Sequence, residues 1–297
     1  MNLRTDLAVE RREIVGSDDI DGVISTEYEE NQVKVTKIEV INENGSKALG
    51  KPLGKYITLD VASFTEMTDV FSPQLTILAE QIKELLPKKE GTVLVVGLGN
   101  SGITPDALGP LTVKSVLATR HIGVELQKTI GLEGMRSVAA VATGVLGKTG
   151  IESGVIAESI VKEIKPCAVI AVDALASRRL ERLGTTVQMA SSGISPGAGV
   201  GNMRKGINEE TVGVPVISIG VPTVVDGATL AHDIIEKAGY KDEKLTRQIL
   251  QPFGQGVIVT PEEVDLMVNR AALFVAMGIN CALQKNLDPK DILALVS

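Results

Sequence analysis

A chain carrying Thr92-Val-Leu-Val-Val-Gly-Leu-Gly-Asn100, followed by Thr104-Pro-Asp-Ala-Leu-Gly-Pro110, has few ways to fold around that stretch. Val93 to Val96 is an unbroken β-branched and apolar run, which predicts a strand buried on both faces. Gly97 and Gly99 follow at once. Without a Cβ they permit positive φ and close backbone approach, which suits a tight turn at a strand's carboxyl end. Thr104 reads as an N-cap and Pro105 as the first helical position, so a helix is expected over residues 105–119. Asp106 then falls in the first turn, where the helix dipole favours a carboxylate. One carboxylate is thereby presented at the carboxyl edge of a strand, where open α/β sheets bind ligands.

Gly97-Leu-Gly-Asn-Ser-Gly102 also matches the G-x-G-x-x-G dinucleotide fingerprint. Against that reading, Pro105 places the helix start after Gly102. No acidic residue clearly ends the next strand-like run, Val138 to Ala142, and Glu125 is the best substitute. A plain glycine turn with Asp106 as a helix-start residue is the third alternative. A second buried run, Cys167-Ala-Val-Ile-Ala-Val-Asp173, also ends on an aspartate. On nearby parallel strands two such aspartates would point into one crevice and could share a proton, one as acid and one as base. The simpler role for Asp173 is to cap a following helix.

Together, these motifs resemble a known family. Val-Val-Gly-Leu-Gly-Asn100 with Thr104 to Pro110, Gly147-Lys-Thr-Gly-Ile-Glu152, Ala171-Val-Asp-Ala-Leu-Ala-Ser177 and Arg4-Thr-Asp-Leu-Ala-Val-Glu10 look like the germination protease family of endospore-forming bacteria. A more distant resemblance is to hydrogenase-maturation endopeptidases. The resemblance implies an endopeptidase that initiates degradation of small acid-soluble spore proteins, with Asp106 and Asp173 catalytic. It further implies a zymogen that removes its own N-terminus. Family substrates are cut after an acidic residue followed by a large apolar residue, Ala, any residue and Glu. Thr5-Asp6-Leu7-Ala8-Val9-Glu10 has that shape, so the self-cleavage site would lie between Asp6 and Leu7. The propeptide would be residues 1–6, shorter than is usual for the family, and 7–297 a single α/β protease domain. A homotetramer in the cytoplasm, specifically the spore core, is implied in the same way.

The expected chemistry is aspartic-type. One carboxylate takes a proton from water and the other donates to the carbonyl oxygen. No Asp-Thr-Gly motif is present, so the arrangement would be independent of two-lobed aspartic proteases. No cofactor is expected; the rival chemistry holds a divalent metal on the same carboxylates. A role for Glu152 stays open.

Composition narrows the field. The chain has 297 residues with 44% hydrophobic, 23% charged and 2% aromatic content. The core must therefore be aliphatic, which suits a parallel sheet covered by helices. A net charge of −7 and a lack of aromatics argue against nucleic acid as a direct partner. Arg178-Arg-Leu-Glu-Arg182, the densest basic cluster, reads as a solvated helix face. Cys167 and Cys281 form no metal or redox spacing, and there is no H-E-x-x-H. His232 reads as a surface or packing residue. No secretory signal is expected, and the strongly apolar run 271–279 is too short to span a membrane.

Along the chain, residues 1–22 read as an extended arm, 33–40 and 56–61 as strands, and Asn42-Glu-Asn-Gly45 as a turn. Helices are expected over 71–86, 152–164, 227–238, 260–283 and 288–296. A strand over 214–220 would be closed by Val221-Pro-Thr223. The glycine-rich stretch 184–206 reads as a structural loop near the active crevice. The fold class is α/β, a central mostly parallel sheet flanked by helices, as in hydrogenase-maturation endopeptidases, with an added N-terminal β segment.

Overall fold

The computed structural model describes residues 3–17, 19–129, 132–195, 205–239 and 256–296. Within them lie β1 (Val23–Glu30), β2 (Val33–Val40), β3 (Gly54–Asp60), β4 (Val93–Leu98), β5 (Val138–Gly144), β6 (Ala168–Ser177), β7 (Thr186–Ala190), β8 (Val216–Asp226) and β9 (Ile258–Val259). They form one sheet in the order β1-β2-β3-β7-β8-β6-β4-β5, with β9 paired to β8. Neighbours among β8, β6, β4 and β5 run parallel. The N-terminal segment β1-β2-β3 joins this parallel core through β7 by antiparallel ladders. The expected α/β architecture with its added β segment is therefore present. The aliphatic runs of β4, β6 and β8 are buried almost throughout because helices cover both faces.

Against one face pack α3 (Pro73–Leu85), α4 (Leu108–Lys114) and the helix Val264–Leu283. Phe64 and Phe274 meet there at 5.5 Å between ring centroids. The helix Val264–Leu283 is 20 residues long, and by length and apolarity it could cross a membrane. It extends past the apolar run 271–279 because Met267 and Val268 before it and Asn280, Ala282 and Leu283 after it continue its buried stripe. With 72% of its apolar window buried, it serves here as the central core helix. The helix Ser153–Ile164 packs on the other face against Leu94, Val96 and Ala171. On that same face α1 (Ala8–Val15) and α2 (Glu43–Leu49) cover Ile38, Val40, Tyr56 and Leu175.

Several local expectations are corrected. Residues 1–22 are not an extended arm, since Leu7 and Ala8 are wholly buried and α1 follows them. Asn42 to Gly45 opens a helix. The Asn42 side chain accepts from the Gly45 N–H at 2.9 Å, so its turn chemistry serves as an N-cap. The helix expected over 105–119 is broken into a 3₁₀ turn, Thr104–Asp106, and α4. Pro110 accounts for the break. In a continuous helix its ring would meet the carbonyl of Asp106, four residues back, whereas in the first turn of α4 it is tolerated. α4 stops early because the Asn280 side chain takes the Leu117 N–H and donates to the Ser115 carbonyl, each at 2.9 Å.

β6 does not end at Asp173, and β8 does not close at Val221-Pro-Thr223. The two strands run on together past a bulge between Leu175 and Ala176. Pro222 sits beside that irregularity, where a missing backbone donor costs least. No helix directly follows Asp173, so the capping role is excluded.

Candidate active site

Register places Asp173 beside the end of β4, where the turn to Asp106 begins. Gly97 of β4 pairs with Val172 of β6, so the next residues along, Leu98 and Asp173, are neighbours on adjacent parallel strands. From Leu98 the chain turns tightly and brings Asp106 back to the same strand end. The Asp106 Oδ2 accepts from the Asn100 N–H at 2.8 Å. The Thr223 hydroxyl donates to the Pro105 carbonyl at 2.7 Å and ties the turn to β8.

Glycine is required at three points here. Gly99 has φ +109°, and a Cβ on it would lie 2.0 Å from the Asp106 carbonyl oxygen. A Cβ on Gly97 would lie 2.3 Å from the Gly109 carbonyl oxygen. A Cβ on Gly109 would lie 2.3 Å from the Leu98 carbonyl oxygen and 2.5 Å from that of Val172. These glycines press the start of α4 onto β4 and β6, which sets Asp106 at the strand ends.

The two carboxylates have unlike surroundings. Asp106 is half-buried, whereas Asp173 is only 7% exposed and its Oδ1 accepts from the Ala174 N–H at 2.9 Å. Beyond Asp173 lies Gly220 of β8, which pairs with Asp173 on one flank and Gln188 on the other. A Cβ there would lie 2.5 Å from Leu175 Cγ, so the Leu175 side chain packs over Gly220 and requires glycine there. A cavity of about 270 Å³ lies on this face, walled by Asp6, Leu175, Gln188, Ser192, Ser195 and Gly220, with neither Asp106 nor Asp173 in its wall. Ser192 to Ser195 reach this cavity, but 184–206 is not one loop as expected, because the buried run Thr186–Ala190 within it forms β7; residues 196–204 lie outside the described residues.

The N-terminus is built into the same place. The Asp6 N–H donates to the Ala176 carbonyl, and the Asp6 Oδ2 accepts from the Ala176 N–H, both at 2.8 Å. Lys51 Nζ and Gln188 Nε2 donate to the Asp6 carbonyl oxygen at 2.6 and 2.9 Å. Leu7 enters the core between α2 and the sheet. Glu10 is wholly buried, and its carboxylate accepts from the Thr5 hydroxyl and from the N–H groups of Arg178 (2.7 Å) and Arg179 (3.0 Å). Arg182 lies 3.6 Å away.

The basic cluster 178–182 is therefore not a solvated helix face. Arg178 clamps Asp233 at 2.7–2.9 Å, and Arg182 pairs with Asp60 and Glu13. His232, Asp233 and Glu236 bring ligand atoms within 4.8 Å of one another, but the Asp233 carboxylate is already committed to Arg178. Glu152 stands at the N-cap of the helix Ser153–Ile164 without a cap bond, and its Oε2 is buried.

Burial pushes the Asp6 and Glu10 carboxyls above their ordinary values and draws the Lys51 ammonium below its own. For Glu10 the hydrogen bonds from Thr5, Arg178 and Arg179 and the charge of Arg182 oppose burial without cancelling it. A carboxyl raised in the folded state contributes stability below its ordinary value, 4.5, and loses it as pH rises through the raised value. Docking of residues 5–10 is thus expected to be firmest in mild acid and to loosen toward neutrality. Amide exchange at Leu7 to Glu10, corrected for intrinsic rates, should show this, with a weaker dependence in Glu10→Gln.

Sequence reasoning singled out Asp106 and Asp173 but not Lys51, Gln188 and Arg182. Their long-range pairings carry no local spacing signal.

A family model described as germination protease matches residues 4–241 and 236–295. Germination protease of Caldanaerobacter subterraneus subsp. tengcongensis is 45% identical over 98% of this chain and 97% of that protein. Those of Clostridium perfringens and Priestia megaterium are 43% and 36% identical, over 98% of this chain and 98% and 96% of theirs. Among solved structures, a NiFe hydrogenase maturation protease, HycI from Thermococcus kodakarensis KOD1, covers 67% of this chain and 98% of its own. Its identity is 16% and its TM-score 0.37. By family model and by relatives spanning nearly its whole length, the chain belongs to the germination protease family, a family of peptidases.

Proposed function

We propose that this protease is an endopeptidase that begins the breakdown of small acid-soluble spore proteins, with Asp106 and Asp173 as an aspartic-type pair. The observation that carries the reading is that Asp173 lies on β6 next to the end of β4, and that the glycine turn leaving β4 carries Asp106 back to that strand end. One carboxylate, ionised, takes a proton from the attacking water; the other, protonated, returns a proton later in the reaction. The chain is made as a zymogen, with residues 1–6 released by cleavage between Asp6 and Leu7 and 7–297 acting as one protease domain. It works as a cytoplasmic homotetramer of the spore core.

The dinucleotide reading is disfavoured by the turn itself. The N–H groups of Asn100 and Gly102 are taken by Asp106 Oδ2 and Asn100 Oδ1, and a carboxylate stands where a pyrophosphate would need donors. Calorimetry with NAD is expected to give no binding. Micromolar binding lost in Gly99→Val would favour a dinucleotide enzyme instead.

The decisive assay is mass spectrometry of the chain incubated alone and with a peptide bearing Thr-Glu-Phe-Ala-Ser-Glu. Cleavage after the first Glu, persisting in a chelator, is expected. An uncut peptide would overturn the reading, and loss of cleavage on chelation would favour metal-assisted hydrolysis by the same carboxylates.

A further inference from the structure

We propose that Lys51 and Gln188 form the oxyanion-binding site for the bond Asp6–Leu7. The inference rests on the reading above that this is the bond cut. Lys51 Nζ lies 2.6 Å and Gln188 Nε2 2.9 Å from the Asp6 carbonyl oxygen. A carbonyl oxygen has two lone-pair directions, and these two donors fill both. Convergence of two fixed donors on a carbonyl oxygen is the arrangement that stabilises charge developing there during acyl transfer.

Each donor is held by contacts of its own. Lys51 follows α2, whose last turn ends on Gly50 at φ +62°, and its N–H donates to the Ser46 carbonyl at 3.2 Å. The Gln188 amide is oriented because its Oε1 accepts from the Ala8 N–H at 2.6 Å, which turns Nε2 toward Asp6. The peptide is held as firmly. Asp6 pairs twice with Ala176, the Leu7 N–H donates to Thr5 Oγ1 at 3.0 Å, and the Leu7 side chain is wholly buried.

The bond also lies on the side of the sheet that the dyad requires. Asp173 and Leu175, two apart on β6 with no bulge between them, share a face. Leu175, Gln188 and Asp6 wall the same cavity, and Gln188 and Asp173 both pair with Gly220 of β8, over which Leu175 packs.

This geometry changes the division of labour. Water oxygen bonds to the Asp6 carbonyl carbon while one carboxylate takes a water proton. The C=O π pair moves onto the oxygen, where Lys51 and Gln188 receive its charge. The pair then reforms the C=O bond and the C–N bond breaks. The Leu7 nitrogen takes a proton from the protonated carboxyl. With both lone-pair directions filled, that carboxyl serves the leaving amine rather than the carbonyl oxygen.

The test is self-cleavage of the full chain, followed by intact mass for wild type, Lys51→Met and Lys51→Arg, with amide exchange at residues 7–10 in each. Lys51→Met keeps the stem length and removes the donor. It is expected to slow the cut by roughly 10²–10³-fold, with exchange protection unchanged and partial recovery in Lys51→Arg. Equal rates in wild type and Lys51→Met would overturn the proposal and leave the cleavage site standing. Loss of protection in Lys51→Met would overturn it in favour of a tether. A wild-type chain that cuts the Thr-Glu-Phe-Ala-Ser-Glu peptide but never its own Asp6–Leu7 bond would remove the reading beneath it.

Discussion

Asp106→Asn and Asp173→Asn are each expected to lower peptide cleavage by roughly 10²–10⁴-fold, the usual worth of a positioned acid or base, in proteins that remain folded. Asparagine is nearly isosteric with aspartate, so Oδ1 can still accept from the Asn100 N–H in one case and the Ala174 N–H in the other. The glycine-built turn and the β6 ladder therefore persist, and only the titrating group is lost. If the two act as one unit, the double variant should cost little more than the worse single one. Peptide cleavage measured beside circular dichroism separates chemistry from folding. Near-full activity in a folded Asp173→Asn protein would remove the pair.

Asp6→Lys is expected to block the cut at Leu7 and leave the protein latent. The Asp6 carboxylate accepts from the Ala176 N–H beside the Lys51 ammonium. Lysine there offers no acceptor and sets two ammonium groups together in a buried place. The rest of the segment should stay seated, since Leu7 is wholly buried and Glu10 is held by the N–H groups of Arg178 and Arg179. A tethered segment competes for the crevice at high effective concentration, so a modest intrinsic affinity is enough to hold it closed. N-terminal sequencing and peptide cleavage would be compared for wild type, Asp6→Lys and a chain beginning at Leu7. Equal activity in all three would show that the N-terminus does not regulate the enzyme.

The strands β4 and β6, which lead to Asp106 and carry Asp173, were legible because a run of buried β-branched residues marks its own strand. The turn between Gly97 and Asp106 was legible because glycine and proline impose backbone conformations locally. Element ends were read less well. β6 was cut short at Asp173 because a charged residue normally leaves a buried strand. Here the carboxylate accepts from the Ala174 N–H and is satisfied within the strand. Asn42 signalled a turn by chemistry that equally caps a helix.

The amino-acid sequence by itself determined the alternation of aliphatic strands and helices and the glycine turn that follows β4. These follow from φ/ψ preferences and hydrophobic periodicity, which act over a few residues. The tertiary structure alone decided what the charged residues do. Arg178 and Arg182 became clamps on Glu10, Asp233 and Asp60, and Lys51 and Gln188 came to the Asp6 carbonyl from positions 45 and 182 residues away. Electrostatic and hydrogen-bonding partners are chosen by distance in space after the core has closed, and pairings that far apart leave no periodic mark in the chain.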